Sequence, residues 1–479
     1  MTEHYLNLVN YHNKKLYEDS LNADNNKLDY LKEEKIFVSD KDSFNIKENL
    51  TKNPNKRQYK KIVKQVSQFK LKKHKKGEDT PYEHNTTEIC TQQMEKITQE
   101  MYKQISLTIY CMIKYGKLYF QDDYNQANVF FLHKKTNENL TPENSRCIVN
   151  CDNKLKILTR YIREYFITPI FNQGLVNTNI NRVKKCFIRY LDSGKTKTKL
   201  CFESVSNVGS IIQLTQHKFI LLDLSNAFNN VTYSFLDFIL NHYIQIDDDF
   251  KKKNIVESIV KLIAEIKFKH KKTKTQIGRN KGIPQGSAVS VDLFVLCMDF
   301  IIKEIINNIG NLGLKYNRDY KIIIYVDDIL FLIKNHECES QLPNIVKIFV
   351  DVMDKYHFKM NSKKSKKSPD IDSKYCDFDI LEDDEKYLGI YYQKDPSKYL
   401  KIIEGEICQK WIHNPNYRTL KDVEEVLKAG KVRMKNIKRL RGKLQYRLRP
   451  FAKTVENRFD LITQLGYPHI AKALFKTNN

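Results

Sequence analysis

Two aspartates stand side by side at Asp327-Asp328, inside the run Ile322 to Ile333 that reads I-I-I-Y-V-D-D-I-L-F-L-I. A third, Asp223, closes the apolar run Phe219 to Leu222 well upstream. Adjacent carboxylates in apolar surroundings repel each other and lose hydration. The cost is several kcal/mol unless something cationic lies between them. Mg²⁺, hard and oxygen-seeking, is the natural candidate, and Asp223 is well explained as a ligand shared with the pair. Simpler readings exist. Asp-Asp is ordinary turn chemistry, and Asp223 could start a helix.

The elements that must position these carboxylates follow from residue type. Ile322 to Tyr325 and Ile329 to Ile333 are β-branched and aromatic, which predicts two strands around a tight turn, with the aspartates at its tip. Strands so apolar on both faces belong in a covered sheet. Phe219 to Leu222 predicts a buried strand ending at Asp223, followed by a helix with Phe235, Leu236 and Ile239 inward. A further helix is predicted over Asn254 to Phe268, and then a basic connection leads to Gly282-Ile283-Pro284-Gln285-Gly286-Ser287. Two glycines around Pro-Gln shape a loop where backbone can approach a ligand closely. Ala288 to Ile306 is apolar almost all round and reads as a buried helix, in which nothing explains Asp292. Ile345 to His357 reads as a helix, and Tyr387 to Tyr392 as a short strand.

The flanking regions carry less signal. Residues 1–95 are polar, with one basic amphipathic helix over Lys56 to Lys76 that suits nucleic-acid contact, nuclear import or a plain solvated face. Residues 96–180 read as mainly helical, as in Ile105 to Tyr115 and Leu155 to Phe166. Lys184 to Val205 reads as a hairpin whose second strand puts Lys195, Lys197 and Lys199 on one face. That face could grip phosphates or guard an edge strand. Toward the C-terminus, Ile437, Leu440, Leu444, Leu448 and Phe451 form a helical stripe. The charges interleaved with it are almost all of one sign, including Lys438, Arg441, Lys443 and Arg447.

Composition bounds the function. The 479 residues carry 82 Lys+Arg against 57 Asp+Glu, a formal net charge of +25, which points to a polyanionic partner. No apolar run reaches the length of a membrane helix, and the N-terminus lacks a signal-peptide core. The expectation is an intracellular protein that is neither secreted nor membrane-bound, with Lys56 to Lys76 suiting the nucleus. The ten cysteines form no C-x-x-C pair, so buried thiols are expected rather than a zinc site.

Taken in order, these pieces resemble the reverse transcriptases over roughly residues 180 to 450. Tyr325-Val326-Asp327-Asp328 looks like the family's Y-x-D-D, Asp223 in L-D-L-S-N-A-F like its first catalytic aspartate, and G-I-P-Q-G-S like the loop behind the incoming nucleotide. Asn361 and Lys364 match N-x-x-K, and Tyr387-Leu388-Gly389 looks like the primer grip. The style is closest to non-retroviral members: group II intron, retroplasmid, non-long-terminal-repeat and telomerase-like enzymes. Two features depart from the common pattern. K-T-K-L-C-F stands where Arg-Pro-Ile is usual, and Ser290-Val291-Asp292 stands where a Pro is often found. The 59 residues between Asp223 and Gly282 leave little room for the extra fingers subdomain of telomerase. The 90 residues after Gly389 suit a thumb but not an added RNase H domain.

The resemblance implies an α+β right-hand polymerase with a basic, mainly helical or partly disordered N-terminal extension. Its divisions would be an extension at 1–95, a helical region and fingers at 96–215, a palm at 216–400 and a helical thumb at 401–479. It implies an RNA-directed DNA polymerase that extends a primer with deoxynucleotides on an RNA template, with a dedicated structured RNA as a further candidate partner, using two Mg²⁺ ions with Mn²⁺ as the alternative. Asp223 and Asp327 would hold the ions, with Asp328 close by and the Leu224 carbonyl as a further donor. Lys364 would act near the leaving pyrophosphate. Phe228, Gln285, Gly286, Lys197 and Lys199 would contact the nucleotide, although Phe228 could also be core. Tyr387, Leu388 and Gly389 would grip the primer, and Lys438, Arg441, Lys443 and Arg447 would track duplex phosphates. The alternatives are a telomerase catalytic subunit of reduced size and a non-catalytic RNA-binding scaffold. The scaffold should have lost its carboxylates, which this chain keeps.

Overall fold

The computed structural model describes residues 108–109, 111–112, 115, 125–133, 145–151, 153–172, 218–244, 246–270, 276–277, 279–382, 386–387, 390–391, 393, 395–411, 419–430, 444, 447–448, 451–452 and 455–475. The basic stretch Lys56–Lys76, the predicted hairpin at 184–205 with Lys197 and Lys199, and Leu388, Gly389, Lys438, Arg441 and Lys443 lie outside them.

Along the chain come β1 (Gln126–His133), β2 (Ser145–Cys151) and α1 (Asn153–Ile162), which runs through one π turn (Arg163–Ile167) into α2 (Thr168–Asn172). Next are β3 (Lys218–Leu222), α3 (Ala227–Asn230), α4 (Tyr233–Tyr243) and α5 (Asp249–Ala264). β4 (Lys267–His270), β5 (Gln276–Ile277) and α6 (Ser290–Gly310) follow. Then come β6 (Tyr320–Tyr325), β7 (Asp328–Ile333), α7 (His336–Ser340) and α8 (Leu342–Lys355). A two-residue strand at Lys359–Met360, which pairs with another at Leu224–Ser225, is followed by four more, β8 (Lys366–Lys367), β9 (Asp379–Ile380), β10 (Lys386–Tyr387) and β11 (Ile390–Tyr391). The last helices are α9 (Pro396–Trp411), α10 (Leu420–Lys428), α11 (Val455–Gln464) and α12 (Pro468–Phe475). The fold is α+β.

Three expectations need correction. The region 96–180 holds two strands besides its helical stretch at 153–172, since β1 and β2 pair antiparallel there, from Ala127 with Cys151 to His133 with Ser145. The helix expected to reach Phe268 ends at Ala264. Lys267–His270 is instead a strand with exposed Lys267 and Lys269 alternating with buried Phe268 and His270, and it pairs parallel to β1. Tyr387–Tyr391 is not one strand but the hairpin β10–β11, with Tyr387 opposite Ile390.

The chain divides into two compact units. One holds residues 1–177, 225–305 and 351–359. Its four-stranded sheet has the order β2-β1-β4-β5. Its helices bury Phe235, Leu236, Ile239, Ile255, Ile259, Phe294 and Ile301. Asp292, unexplained by sequence, pairs with Arg163 of the π turn at 2.7 Å. α6 can therefore be largely apolar and still carry buried carboxylates, since Asp299 is likewise compensated, by Tyr243 and Lys303.

The other unit holds residues 178–224, 306–350 and 360–479. Its five-stranded sheet runs β9-β8-β3-β7-β6, with β3, β7 and β6 antiparallel to their neighbours in that order. Phe219, Leu221, Ile323, Leu330, Leu332 and Leu381 cluster on one face. Phe331, on the other face, stacks with Tyr320 and meets Phe349 of α8 edge-on. Each such side chain contributes about 1.5–3 kcal/mol when fully buried. The helical C-terminal part has its own core, which joins Tyr391, Tyr399, Leu420, Leu444, Leu448, Ile462 and Leu474. Glu424 of α10 accepts backbone N–H bonds from His469 and Ile470, both at 2.7 Å, and so caps the start of α12. Among the described residues no helix is long and apolar enough to cross a membrane.

Candidate active site

The carboxylates meet at one end of the five-stranded sheet. β3 and β7 pair antiparallel from Lys218 with Ile333 to Leu222 with Ile329. The next positions in that register are Asp223 and Asp328. By strand alternation Asp223 shares its face with Phe219 and Leu221, and Asp328 shares the same face with Leu330 and Leu332. β6 returns alongside, with Tyr325 paired to Asp328, so the hairpin loop is only Val326-Asp327. All three aspartates are half-buried.

The loop is strained. Val326 has φ +62, in the left-handed region. Two-residue hairpin turns need positive φ and normally use Asn or Gly there. A β-branched residue in that conformation costs about 1–3 kcal/mol, and it persists only where its surroundings over-determine it. Here six cross-strand pairs on one side and five on the other hold the hairpin. Strain maintained beside paired carboxylates marks the tip as a site whose shape matters more than its stability.

Asp223 is gripped by its backbone. Its N–H donates to Ser365 Oγ at 3.2 Å, and its carbonyl accepts from the Asn361 N–H at 2.8 Å. The turn Asn361–Ser365 closes on itself through Lys364 N–H and Ser365 N–H, both donating to the Asn361 carbonyl. The N-x-x-K segment is thus fastened to Asp223 and carries Lys364, which is exposed. Asp223 does not start a helix, since Asn226 and Thr232 occupy the caps of α3 and α4. Ser365 was invisible to sequence reasoning, because a serine after a lysine pair carries no periodic signal.

The Gly282–Ser287 loop belongs to the other unit and is bonded at both ends. Gly282 N–H donates to the Val231 carbonyl at 2.7 Å, and Ile283 N–H to the Phe228 carbonyl at 2.8 Å. Gly282 has φ +93, and a Cβ there would meet the Asn229 backbone at 3.0 Å. Downstream the Gln285 carbonyl accepts from Val149 N–H of β2 at 2.9 Å. A Cβ on Gly286, which has φ +128, would fall 1.9 Å from the Val149 carbonyl oxygen, so the close approach admits glycine alone. Phe228 lies on the four-residue α3 rather than on the helix of Phe235, and its half-buried ring stacks on Phe294 at 4.4 Å. Tyr387 lies on β10. Arg447 sets its guanidinium over the Tyr391 ring at 5.7 Å, so part of its side chain serves packing.

Among the described residues no group of three or more His, Cys, Asp or Glu closes around an ion. That does not conflict with Mg²⁺, which is characteristically held by one or two carboxylates with substrate phosphates and water completing its shell. Asp223 and the Asp327-Asp328 tip supply hard oxygen donors of that number from two adjoining strands.

The family model described as reverse transcriptase (RNA-dependent DNA polymerase) matches residues 132–401. A search of curated proteins gives no match. Similar solved structures are of telomerase. The apo telomerase of Candida tropicalis is 13% identical over 79% of this chain and 64% of that chain, with a TM-score of 0.39. The Candida albicans enzyme, in complex with a TWJ fragment of telomeric RNA, is 12% identical over 75% and 67%, with a TM-score of 0.38. The corresponding Candida tropicalis complex is 13% identical over 74% and 60%, with a TM-score of 0.37. The chain spans between 60% and 67% of the length of these three structures.

Proposed function

Because the chain belongs to the reverse transcriptase family, we propose that it is a primer-extending, RNA-directed DNA polymerase with Asp223, Asp327 and Asp328 as its catalytic carboxylates. The observation that carries the reading is the convergence of Asp223 and Asp328 in register at one sheet end, beside a hairpin tip held in strain. In this reading the chain forms a right hand with a basic extension at 1–95, a helical region and fingers at 96–215, a palm at 216–400 and a helical thumb at 401–479.

In the proposed reaction a primer 3′-hydroxyl attacks the α-phosphate of a deoxynucleoside triphosphate and pyrophosphate leaves. Asp223 and Asp327 would hold two Mg²⁺ ions, with the Leu224 carbonyl as a further donor and Asp328 setting the local charge. The bound ions would acidify the attacking hydroxyl and neutralise charge on the phosphates. Lys364, carried on the turn fastened to Asp223, supplies a proton or a counter-charge to the leaving pyrophosphate. Gln285 and Gly286 line the nucleotide, with Lys197 and Lys199 on its phosphates. Phe228 lies under its sugar. Tyr387, Leu388 and Gly389 hold the primer end. Lys438, Arg441, Lys443 and Arg447 track the duplex, and a nuclear address suits Lys56 to Lys76. The test is primer extension by the purified protein, crossing RNA and DNA templates with deoxy- and ribonucleotides. DNA synthesis on RNA supports the reading, and no extension under any combination sinks it.

A further inference from the structure

Arg279 lies just ahead of the Gly282–Ser287 loop and no functional reading accounts for it. Its side chain is half-buried, and burial lowers its pKa. Nη1 donates to the Gly282 carbonyl at 2.7 Å. Nη2 donates to the Ile263 carbonyl and, at 3.4 Å, to the Ala264 carbonyl. These are the last carbonyls of α5, where unpaired acceptors and the helix dipole both favour a cation. The guanidinium lies 4.6 Å from the centroid of Phe268 and 5.9 Å from that of Tyr233. A planar fork is thus wedged between a helix end, two rings and one loop carbonyl. Lysine could supply the charge there but not the paired donors or the flat stacking surface.

What the fork holds connects two nucleotide-contact candidates. Gly282 and Ile283 donate their amides to the carbonyls of Val231 and Phe228. The Phe228 turn and the loop leading to Gln285 are therefore one hydrogen-bonded piece, and Arg279 ties that piece to α5.

We propose that Arg279 is a positioning residue for the incoming nucleotide, fixing Gly282 and through it the spacing between Phe228 and Gln285. The inference rests on the nucleotide-contact roles proposed above. Loosening the clamp should let Phe228 and Gln285 move apart, which weakens nucleotide binding and blurs the choice of sugar while leaving the carboxylates themselves unchanged.

The test uses Arg279→Lys, with Arg458→Lys as a comparator, since Arg458 is a buried arginine that likewise donates to a backbone carbonyl, that of Ala452 at 3.0 Å. In full-length Arg279→Lys, KM for the deoxynucleotide should rise roughly three- to tenfold with kcat within about twofold, and ribonucleotide discrimination should fall alongside. Arg458→Lys should move neither ratio, because a general loss of folded enzyme lowers apparent kcat rather than raising KM. Hydrogen exchange on the free protein gives a readout independent of activity. The amides of Gly282 and Ile283 should lose protection in Arg279→Lys, while those of β6 and β7 keep theirs. Unchanged exchange at those two amides overturns the clamp. Unchanged KM and sugar selection in an active enzyme overturn its positioning role. A wild type that extends nothing overturns the polymerase reading, and exchange then still decides the clamp by itself.

Discussion

At the scale of single residues the chemistry turns on charge and shape at two places. Asp327→Asn exchanges a carboxylate for an amide whose oxygen is a poor donor to a hard cation, while volume and turn geometry stay the same. Extension should fall at least a hundredfold with primer–template affinity nearly unchanged. A gel extension assay beside a filter-binding titration checks both, and retention of a tenth of the wild-type rate would exclude a metal role for Asp327. Phe228 tests the other place. Its ring is backed by Phe294, so it presents a firm apolar surface that cannot move aside or offer a hydrogen bond to a 2′-hydroxyl. An unpaired hydroxyl pressed against such a surface costs a few kcal/mol, or on the order of a hundredfold in selection. Phe228→Ala should admit ribonucleotides while keeping deoxynucleotide incorporation. Competition between the two sugars measures it, and a wild type indifferent to the sugar would end the gate reading.

At the scale of elements, the Asp327-Asp328 hairpin depends on an anchor at its far end. Asp319 stands just before β6 and is almost fully buried. Its carboxylate accepts from Arg318 at 2.6 and 2.7 Å, from Lys315 N–H at 2.7 Å and from Asn335 at 2.7 Å. Its own carbonyl accepts from Lys334 N–H just after β7. Arg318 first, then the Lys315 amide and Asn335, hold the carboxyl well below the usual carboxylate range. Such a depressed group contributes stability that is present above its unfolded pKa of about 4 and lost as pH falls toward the folded value. Asp319→Asn should therefore melt several degrees below wild type at pH 7, with the gap closing below about pH 4. Thermal melts across pH check it, and a pH-independent gap would refute the anchor. The hairpin itself was legible in sequence, because Ile322 to Ile333 announces strands by residue type and the tip by its charges. β1 and β2 were not. Q-A-N-V-F-F-L-H and S-R-C-I-V-N-C lack clean alternation, and β4, which pairs with β1, lies far along the chain. The helix predicted to Phe268 overran because Ile266 and Phe268 prolong an apolar pattern that fits either period. Asp292 made sense only once Arg163, 129 residues away, was seen against it. Spacing along a chain carries no record of such a pairing.

At the scale of the molecule the governing quantity is the net charge of +25. It has little to do with the fold, whose cores are apolar, and much to do with a partner that carries regular negative charge. Part of the basic content is already committed within the protein. Lys218 pairs with Glu339, Arg163 with Asp292, and Arg447 lies over Tyr391. The remainder, including the other basic residues of the one-sign run from Lys428 to Arg449, is what a nucleic-acid backbone would meet. If this charge binds template and primer, association releases counterions and the affinity depends steeply on salt. With six to ten phosphates neutralised, affinity should fall by about 10³–10⁵ between 50 and 200 mM salt. Replacing Lys438 and Arg441 with Glu should lower affinity at every salt concentration and flatten the slope of log affinity against log salt by about two to four units, since each position loses one contact and gains a repulsion. Nucleotide selection should not change, because neither residue is proposed to touch the nucleotide or the loop beside it. Fluorescence anisotropy with a labelled primer–template duplex over a salt series reads both quantities. An unchanged slope in the double variant would mean that this basic run faces water rather than the duplex, and the thumb would have to be sought elsewhere on the chain.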